Sequence, residues 1–390
     1  MKTTTYKKIL AMVVVISPII SQYSIGGIID FDMIAMAFVI LLGYIGRIHS
    51  NNALRAHITV FLLYIVIETG INLLVGIRYS RTIDIILRCG RYCVYSSFIL
   101  LKSIDYFDYK TMLRYYRAVV YLAFAYILIQ TIVYYTTGIT LPNKIGGTTS
   151  SISVEGVGRL RSFYSEPAAL SYGLLPFTVC SLFGPRYKEK NNMIIDAIVS
   201  TAAVVLSTSG LGNICLAAVW LIWIILGLKN RRITHGRLVL LIILLLAFAL
   251  VARFPIVAYT FSRVNTMGQN GAISARINGY LSLKSLRTMQ LVFGTGFGNY
   301  MVRNEYNMNT LFAYIYYPTL AEHLFTTGII GTVLFLNIFV KRFRHSNVYG
   351  KMLIIATIIL SIGGAPISGA FLPLYFALIF AEDRFDTTVA

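Results

Sequence analysis

Apolar residues along this chain gather into runs of about 20 positions, long enough for a helix to cross a hydrocarbon core of roughly 30 Å. Twelve such segments are legible, at 9–25, 31–46, 57–77, 83–102, 118–137, 167–183, 193–208, 211–228, 238–254, 320–340, 352–364 and 367–381. The last two are joined through Gly363-Gly364-Ala365-Pro366, a Gly/Pro cluster suited to a tight turn. The first run follows a basic head containing Lys2, Lys7 and Lys8 and ends without a small-residue cleavage site. It therefore reads as a retained first helix, not a signal peptide. The expected fold is an all-α polytopic membrane protein with about 12 transmembrane helices, residues 1–390 forming a single integral membrane domain.

Composition agrees with the pattern. Of 390 residues, 57% are hydrophobic and only 13% charged. A soluble domain carries about a quarter charged residues, so this chain cannot clothe a water-exposed surface. The formal net charge of +19 would point to nucleic acid in a soluble protein. Here its distribution gives a topological reading, and no nucleic-acid partner is expected. With the N-terminus in the cytoplasm, 21 of the 34 Lys and Arg residues fall in inside segments and 11 in outside ones, while Arg88 and Arg91 lie within a span. That bias places both termini inside. The four cysteines, Cys89, Cys93, Cys180 and Cys215, all lie in apolar runs and read as structural thiols.

Two outer segments stand apart by length, 138–166 and 253–319, whereas every inside loop is short. Long connections between packed spans usually carry function, so the chemistry is expected on the outer face. The larger loop holds Leu291-Val292-Phe293 and Tyr314-Ile315-Tyr316-Tyr317, too apolar for a disordered segment, and is expected to fold against the membrane surface. No internal repeat is visible, which weighs against a transporter built from inverted halves.

Three constellations and a set of in-span charges bear on chemistry. Gly158-Arg159-Leu160-Arg161-Ser162-Phe163-Tyr164-Ser165-Glu166-Pro167 closes the shorter outer loop. Pro167 suits the first turn of a helix, whose N-terminus favours an anion, and arginine grips phosphate oxygens through paired donors. The alternative is an Arg–Glu pair that only orders the loop. In the longer loop, Arg276 lies in Ala275-Arg276-Ile277-Asn278-Gly279-Tyr280, ahead of Gly294-Thr295-Gly296-Phe297-Gly298-Asn299-Tyr300. The glycines could bring backbone amides close to a ligand, but a tight turn is the preferred reading of Gly294 and Gly296, because the run lacks the spacing and βαβ setting of a dinucleotide site. Ser207-Thr208-Ser209-Gly210-Leu211-Gly212-Asn213 joins two spans almost without a loop. Ser207, Ser209 and Asn213 could line a pocket, though close helix packing through small residues is favoured. Ionisable residues inside spans are functional candidates by default: Glu68, Arg88, Arg91, Asp196, Glu322 and His323. Arg88 and Arg91 share a helix face, and pairing with Glu68 or Asp196 is the favoured reading for them. No metal motif, Walker A sequence or hydrolase elbow occurs, so neither a metal nor a cofactor is expected.

These residues resemble a family. Arg159 through Glu166-Pro167 ahead of a span looks like the corresponding segment of bacterial O-antigen polymerases of the Wzy type. Ala275 to Tyr280 followed by Leu291 to Tyr300 resembles the large outer loop of the O-antigen ligase/polymerase superfamily, Leu206 to Asn213 its Ser-rich hairpin, and Thr326-Thr327-Gly328-Ile329-Ile330-Gly331 the helix after that loop. The matches span about residues 150–340 in the family's order. The ligases carry a His-Asn pair ahead of the last motif; this chain has Tyr317-Pro318 there, and His323 falls closer.

The resemblance implies a GT-C-like glycosyltransferase with a large periplasmic loop in the bacterial inner membrane. It would polymerise oligosaccharide repeat units carried on undecaprenyl pyrophosphate, for lipopolysaccharide or related polysaccharide synthesis. Arg159, Arg161 and Arg276 would hold the pyrophosphate, and Glu166, or else His323, would be the catalytic base; Gly294, Gly296, Glu322, Arg88 and Arg91 would line the pocket. A flippase and a chain-length regulator are the implied protein partners. A lipid-linked oligosaccharide flippase and an O-antigen ligase are the alternative functions.

Overall fold

Inside hydrocarbon every backbone N–H and C=O must be satisfied within the protein, and a helix does this locally. The computed structural model describes residues 3–25, 29–45, 54–100, 109–144, 153–154, 157–158, 160–184, 192–229, 271–300 and 315–380. Its helices are α1 (Thr3–Ile20), α2 (Phe31–Ile45), α3 (Leu54–Val75), α4 (Thr82–Leu100), α5 (Tyr109–Thr137), α6 (Pro167–Phe183), α7 (Asn192–Leu206), α8 (Gly210–Lys229), α9 (Gly271–Leu281), α10 (Thr288–Phe293), α11 (Thr319–His345), α12 (Val348–Gly363) and α13 (Leu372–Phe380). Two small antiparallel hairpins accompany them, β1 (Ser24–Ile25) with β2 (Ile29–Asp30), and β3 (Ser153–Val154) with β4 (Val157–Gly158).

Eleven of the twelve expected segments coincide with a helix, and the ninth, 238–254, lies outside the described residues. The boundaries shift where polar residues extend a helix beyond its apolar run: α1 starts at Thr3 and α5 at Tyr109. α13 is shorter than its apolar run because residues 365–371 form turns after α12. Among the described residues, three helices are long and apolar enough to cross a membrane, Ala56–Val75, Tyr109–Thr137 and Thr319–His345, and several shorter apolar ones accompany them. This is a helical membrane protein.

α3 shows the reason in its periodicity. Val60, Leu63, Ile67, Ile71 and Leu74 are exposed, while Phe61, Ile65, Glu68 and Asn72 are buried. The apolar stripe faces outward and the polar residues inward, the reverse of a water-soluble helix. α6 is buried on every face from Pro167 to Ser181.

The chain divides into two compact units, Met1–Tyr115 with Gly271–Ala390, and Tyr116–Asn270. In the first, α11 packs on α3, α10 and α12, and α4 packs on α2, α3 and α13. In the second, α6 packs against α7 and α8.

Candidate functional site

The residues 160–166 begin as a strip that alternates inward and outward. Leu160, Ser162 and Tyr164 are buried; Arg161, Phe163 and Glu166 are partly exposed and Ser165 is exposed. Ser162 is the anchor. Its backbone N–H donates to Gln130 Oε1 (2.8 Å) and its hydroxyl to the Ala123 carbonyl (3.0 Å), both on α5. Its backbone is left-handed, at φ 53°. Tyr164 lies where a Cβ on Gly173 would stand 2.7 Å from its ring, so that glycine makes room for it. Phe163 stacks between Tyr126 and Tyr164.

The anchors hold Arg161 and Glu166 at a fixed place beside the start of α6. Arg161 Nη1 donates to the Ser165 carbonyl (2.8 Å). Partial burial draws its guanidinium below its ordinary pKa, and the Glu166 carboxylate opposes that shift. Glu166 is the N-cap of α6, with extended backbone and no side-chain cap bond, and Pro167 opens the helix. Its carboxylate is therefore not engaged with the helix end. Arg159 lies outside the described residues.

The Ser-rich hairpin is the tight connection that the sequence suggests, and small residues close it. Ser207 donates to the Val204 carbonyl (2.6 Å), and the Gly212 N–H donates to Ser209 Oγ (3.3 Å), which caps α8. A Cβ on Gly212 would stand 2.2 Å from Ser171 Oγ, so α8 touches α6 almost backbone to side chain. The Asn213 Oδ1 and the Thr208 hydroxyl are buried without partners. Packing is the role this geometry gives Ser207 and Ser209.

Arg276 belongs to the other unit, together with Glu322 and His323. It projects from α9 with its guanidinium 5.0 Å from the centre of the Tyr316 ring. α9 is fixed there because the Tyr316 N–H donates to the Ala275 carbonyl (3.0 Å) and the Tyr280 hydroxyl to the Ile362 carbonyl (2.7 Å).

The Gly294–Tyr300 run is a buried wedge. The Thr295 and Gly296 amides donate to the Thr326 carbonyl (3.1 and 3.0 Å) and the Phe297 amide to Thr69 Oγ1 (2.8 Å). Asn299 donates through Nδ2 to the Ile77 and Thr295 carbonyls and accepts from the Tyr79 N–H through Oδ1. The Thr295, Gly296 and Phe297 amides thus bond within the protein, and the tight-turn reading of Gly294 and Gly296 describes them. α11 opens to receive the wedge. Gly328 is non-helical within α11 (φ 63°, ψ −170°), and a Cβ there would stand 2.5 Å from the Gly294 nitrogen. A Cβ on Gly294 (φ 101°) would stand 2.3 Å from the Thr326 carbonyl oxygen. The two backbones cross with no room for a side chain on either.

The in-span charges pair differently from the sequence expectation. Arg88 donates to the Gly298 carbonyl (2.9 Å) and to Ser80 Oγ, and lies 4.5 Å over the Tyr300 ring. Arg91 pairs with Asp30, and Asp196 is held by Arg117 and Tyr121. Glu68 bonds Asn72 one turn further along α3. The expected Arg88 and Arg91 pairing with Glu68 or Asp196 is therefore corrected: Arg88 serves the wedge, and Arg91 reaches Asp30 in β2, just ahead of α2. Burial raises the Asp30 pKa and Arg91 lowers it in part.

His323 is fully buried among the Phe61, Tyr92, Phe297 and Phe335 rings. Its Nδ1 lies 2.9 Å from the Thr319 carbonyl and its Nε2 3.2 Å from the Tyr92 hydroxyl. With both nitrogens engaged, it acts in this arrangement as a packing histidine that ties α11 to α4. Glu322 is also buried, with Arg88 and Ser368 as neighbours.

Gln130 and Thr69, which fix the strip and the wedge, stand outside the sequence constellations, while Ser162, Tyr164 and Asn299 lie in them without an assigned role. A polar residue at helical spacing on an inward face, as Thr69 and Gln130 are, was the available signal. No family model matches the chain, and no curated protein matches it.

Proposed function

We propose that this protein is a polysaccharide polymerase of the bacterial inner membrane, a metal-independent glycosyltransferase with about twelve spans and a GT-C-like fold. It joins undecaprenyl-pyrophosphate-linked oligosaccharide units at the periplasmic face into O-antigen or a related surface polysaccharide. The acceptor hydroxyl oxygen attacks the anomeric carbon of the donor, its proton passes to Glu166, and the bond to the pyrophosphate oxygen breaks. Arg159 and Arg161 stabilise the charge that collects on that leaving group. Glu166 takes that role because it stands beside Arg161 at the start of α6 and makes no cap bond to the helix.

The observation that carries this reading is the anchored strip 160–166. It holds one arginine and one carboxylate side by side at a helix start, outside the apolar segments, on a buried scaffold. Preorganised charge of this kind is what a step with an anionic leaving group uses. The test is the lipopolysaccharide ladder of cells lacking the protein. Loss of the ladder with a single repeat unit retained on the core is expected; loss of everything beyond the core would mean a carrier or a ligase.

A second reading, a lipid-linked oligosaccharide carrier, draws support from the first unit. Its broken α11 and the buried carboxyl of Glu68 are features found at transport sites.

A further inference from the structure

Glu68 is a buried acidic residue of the first unit. It lies within a helix long and apolar enough to span a membrane, its side chain buried at 6% exposure. Oε1 accepts from the Asn72 amide, and Oε2 is buried without any partner. The residues that face it are Tyr64 and Asn72 on its own helix, Cys89 on α4 with Cys93 one turn behind, and Gly296 of the wedge. Tyr64 is committed elsewhere, donating to the Phe293 and Thr327 carbonyls (2.6 and 3.0 Å). The nearby guanidinium, Arg88, is engaged by the Gly298 carbonyl, Ser80 and the Tyr300 ring. On α11, Glu322 and His323 have partners of their own, Ser368 with Arg88 and Thr319 with Tyr92.

A carboxylate this deep must be neutralised in one of three ways: a basic side chain, a metal cation or a proton. Among the described residues no basic group pairs with it. Among the described residues no cluster of three or more His, Cys, Asp or Glu could hold a metal ion. Its bonded oxygen, moreover, already faces an N–H donor. A neutral acid leaves one weakly solvated O–H, a far smaller cost than an uncompensated charge.

We propose that Glu68 is a proton-binding site, its proton held where α3 receives the Gly294–Tyr300 wedge. Thr69 and Asn72, its neighbours on α3, touch the wedge directly, so the proton keeps that contact free of an unpaired charge. Loss of the proton would place a bare charge against the wedge and loosen its seat. This inference stands apart from the polymerase reading and holds for a carrier equally, so the failure of one leaves the other standing.

The experiment is infrared spectroscopy of the full-length protein in lipid nanodiscs, in H2O and D2O, for the native chain and Glu68→Gln. The native protein should show a protonated-carboxyl C=O stretch that shifts on deuteration and is lost in the variant. Asp32, also fully buried with one oxygen lacking a partner, serves as an internal comparison through Asp32→Asn. In parallel, a hydrophobic carbodiimide, which reacts with protonated carboxyls in apolar surroundings, should modify Glu68 of the native chain at neutral pH and much less at alkaline pH, as read by peptide mass spectrometry. This second readout needs no variant to fold. A protonated-carboxyl band undiminished in a folded Glu68→Gln protein would overturn the proposal. So would the absence of any pH-dependent adduct at Glu68.

Discussion

Two segments that the sequence marks as candidate ligand sites, 160–167 and 294–300, differ in what the fold does with them. In the first, Leu160, Ser162 and Tyr164 turn inward while Arg161 and Glu166 stay partly exposed. In the second, the whole segment turns inward, and its amides bond to Thr326 and Thr69. The first is a scaffold that presents groups; the second is a joint that seals a broken helix. A helical rise of about 1.5 Å per residue puts Thr326 roughly 10 Å along α11 from Thr319. The joint is therefore set well below the helix start, where an unbonded carbonyl would be costly.

The sharpest way to break this contrast is at the crossing. Gly328→Ala or Gly294→Ala forces a side chain into left-handed backbone and into the opposing chain. Each should destabilise by about 3 kcal/mol or more, enough to remove most folded protein. Fluorescence-detected size exclusion measures this; normal yield of either variant would mean the wedge is only loosely seated.

The presenting segment should behave in the opposite manner. Arg161→Ala should leave protein levels normal and cut polymer formation by about 100- to 1000-fold, the usual effect of removing one donor to a developing negative charge. Arg161→Lys should recover only part of the activity, since lysine lacks the planar fork. Both are scored by ladder gels with immunoblots for the protein.

Glu166→Gln keeps size and hydrogen bonding but removes basicity. Its expected cost is at least about 100-fold in rate on synthetic lipid-linked units. Near-normal rates in the Gln variant, with a failure of Glu166→Ala to insert, would make this residue a loop-ordering group like its neighbours. The smallest effect belongs to a charge outside both segments. Arg117→Ala leaves Asp196, buried on α7, with Tyr121 as its remaining donor. A loss of about 1–3 kcal/mol in thermal stability is expected, with chain length of the polymer unchanged.

How much of this was legible in the sequence follows from what each feature depends on. Segment length and hydropathy are local, so most helices were readable within a few residues. Pairing is not local. Arg91 and Asp30 are far apart in the chain, and nothing at either position names the other. The wedge was half legible: its glycines announced a turn, but its burial depends on Gly328, a glycine inside an apolar run that reads as plain helix. His323 misled for the same reason, since a histidine near the start of a span looks accessible until four aromatic rings close around it. Arg161 and Glu166 were readable because their motif is contiguous; the side chains that steady them, from Gln130 to Tyr164, were not.

The central claim is that this protein joins lipid-linked repeat units at the outer face. Purified protein in liposomes, given only synthetic undecaprenyl-pyrophosphate-linked repeat units, tests it directly. The account predicts a ladder of polymers with release of undecaprenyl pyrophosphate, lost in Arg161→Ala. Movement of intact units across the bilayer with no increase in chain length would contradict it.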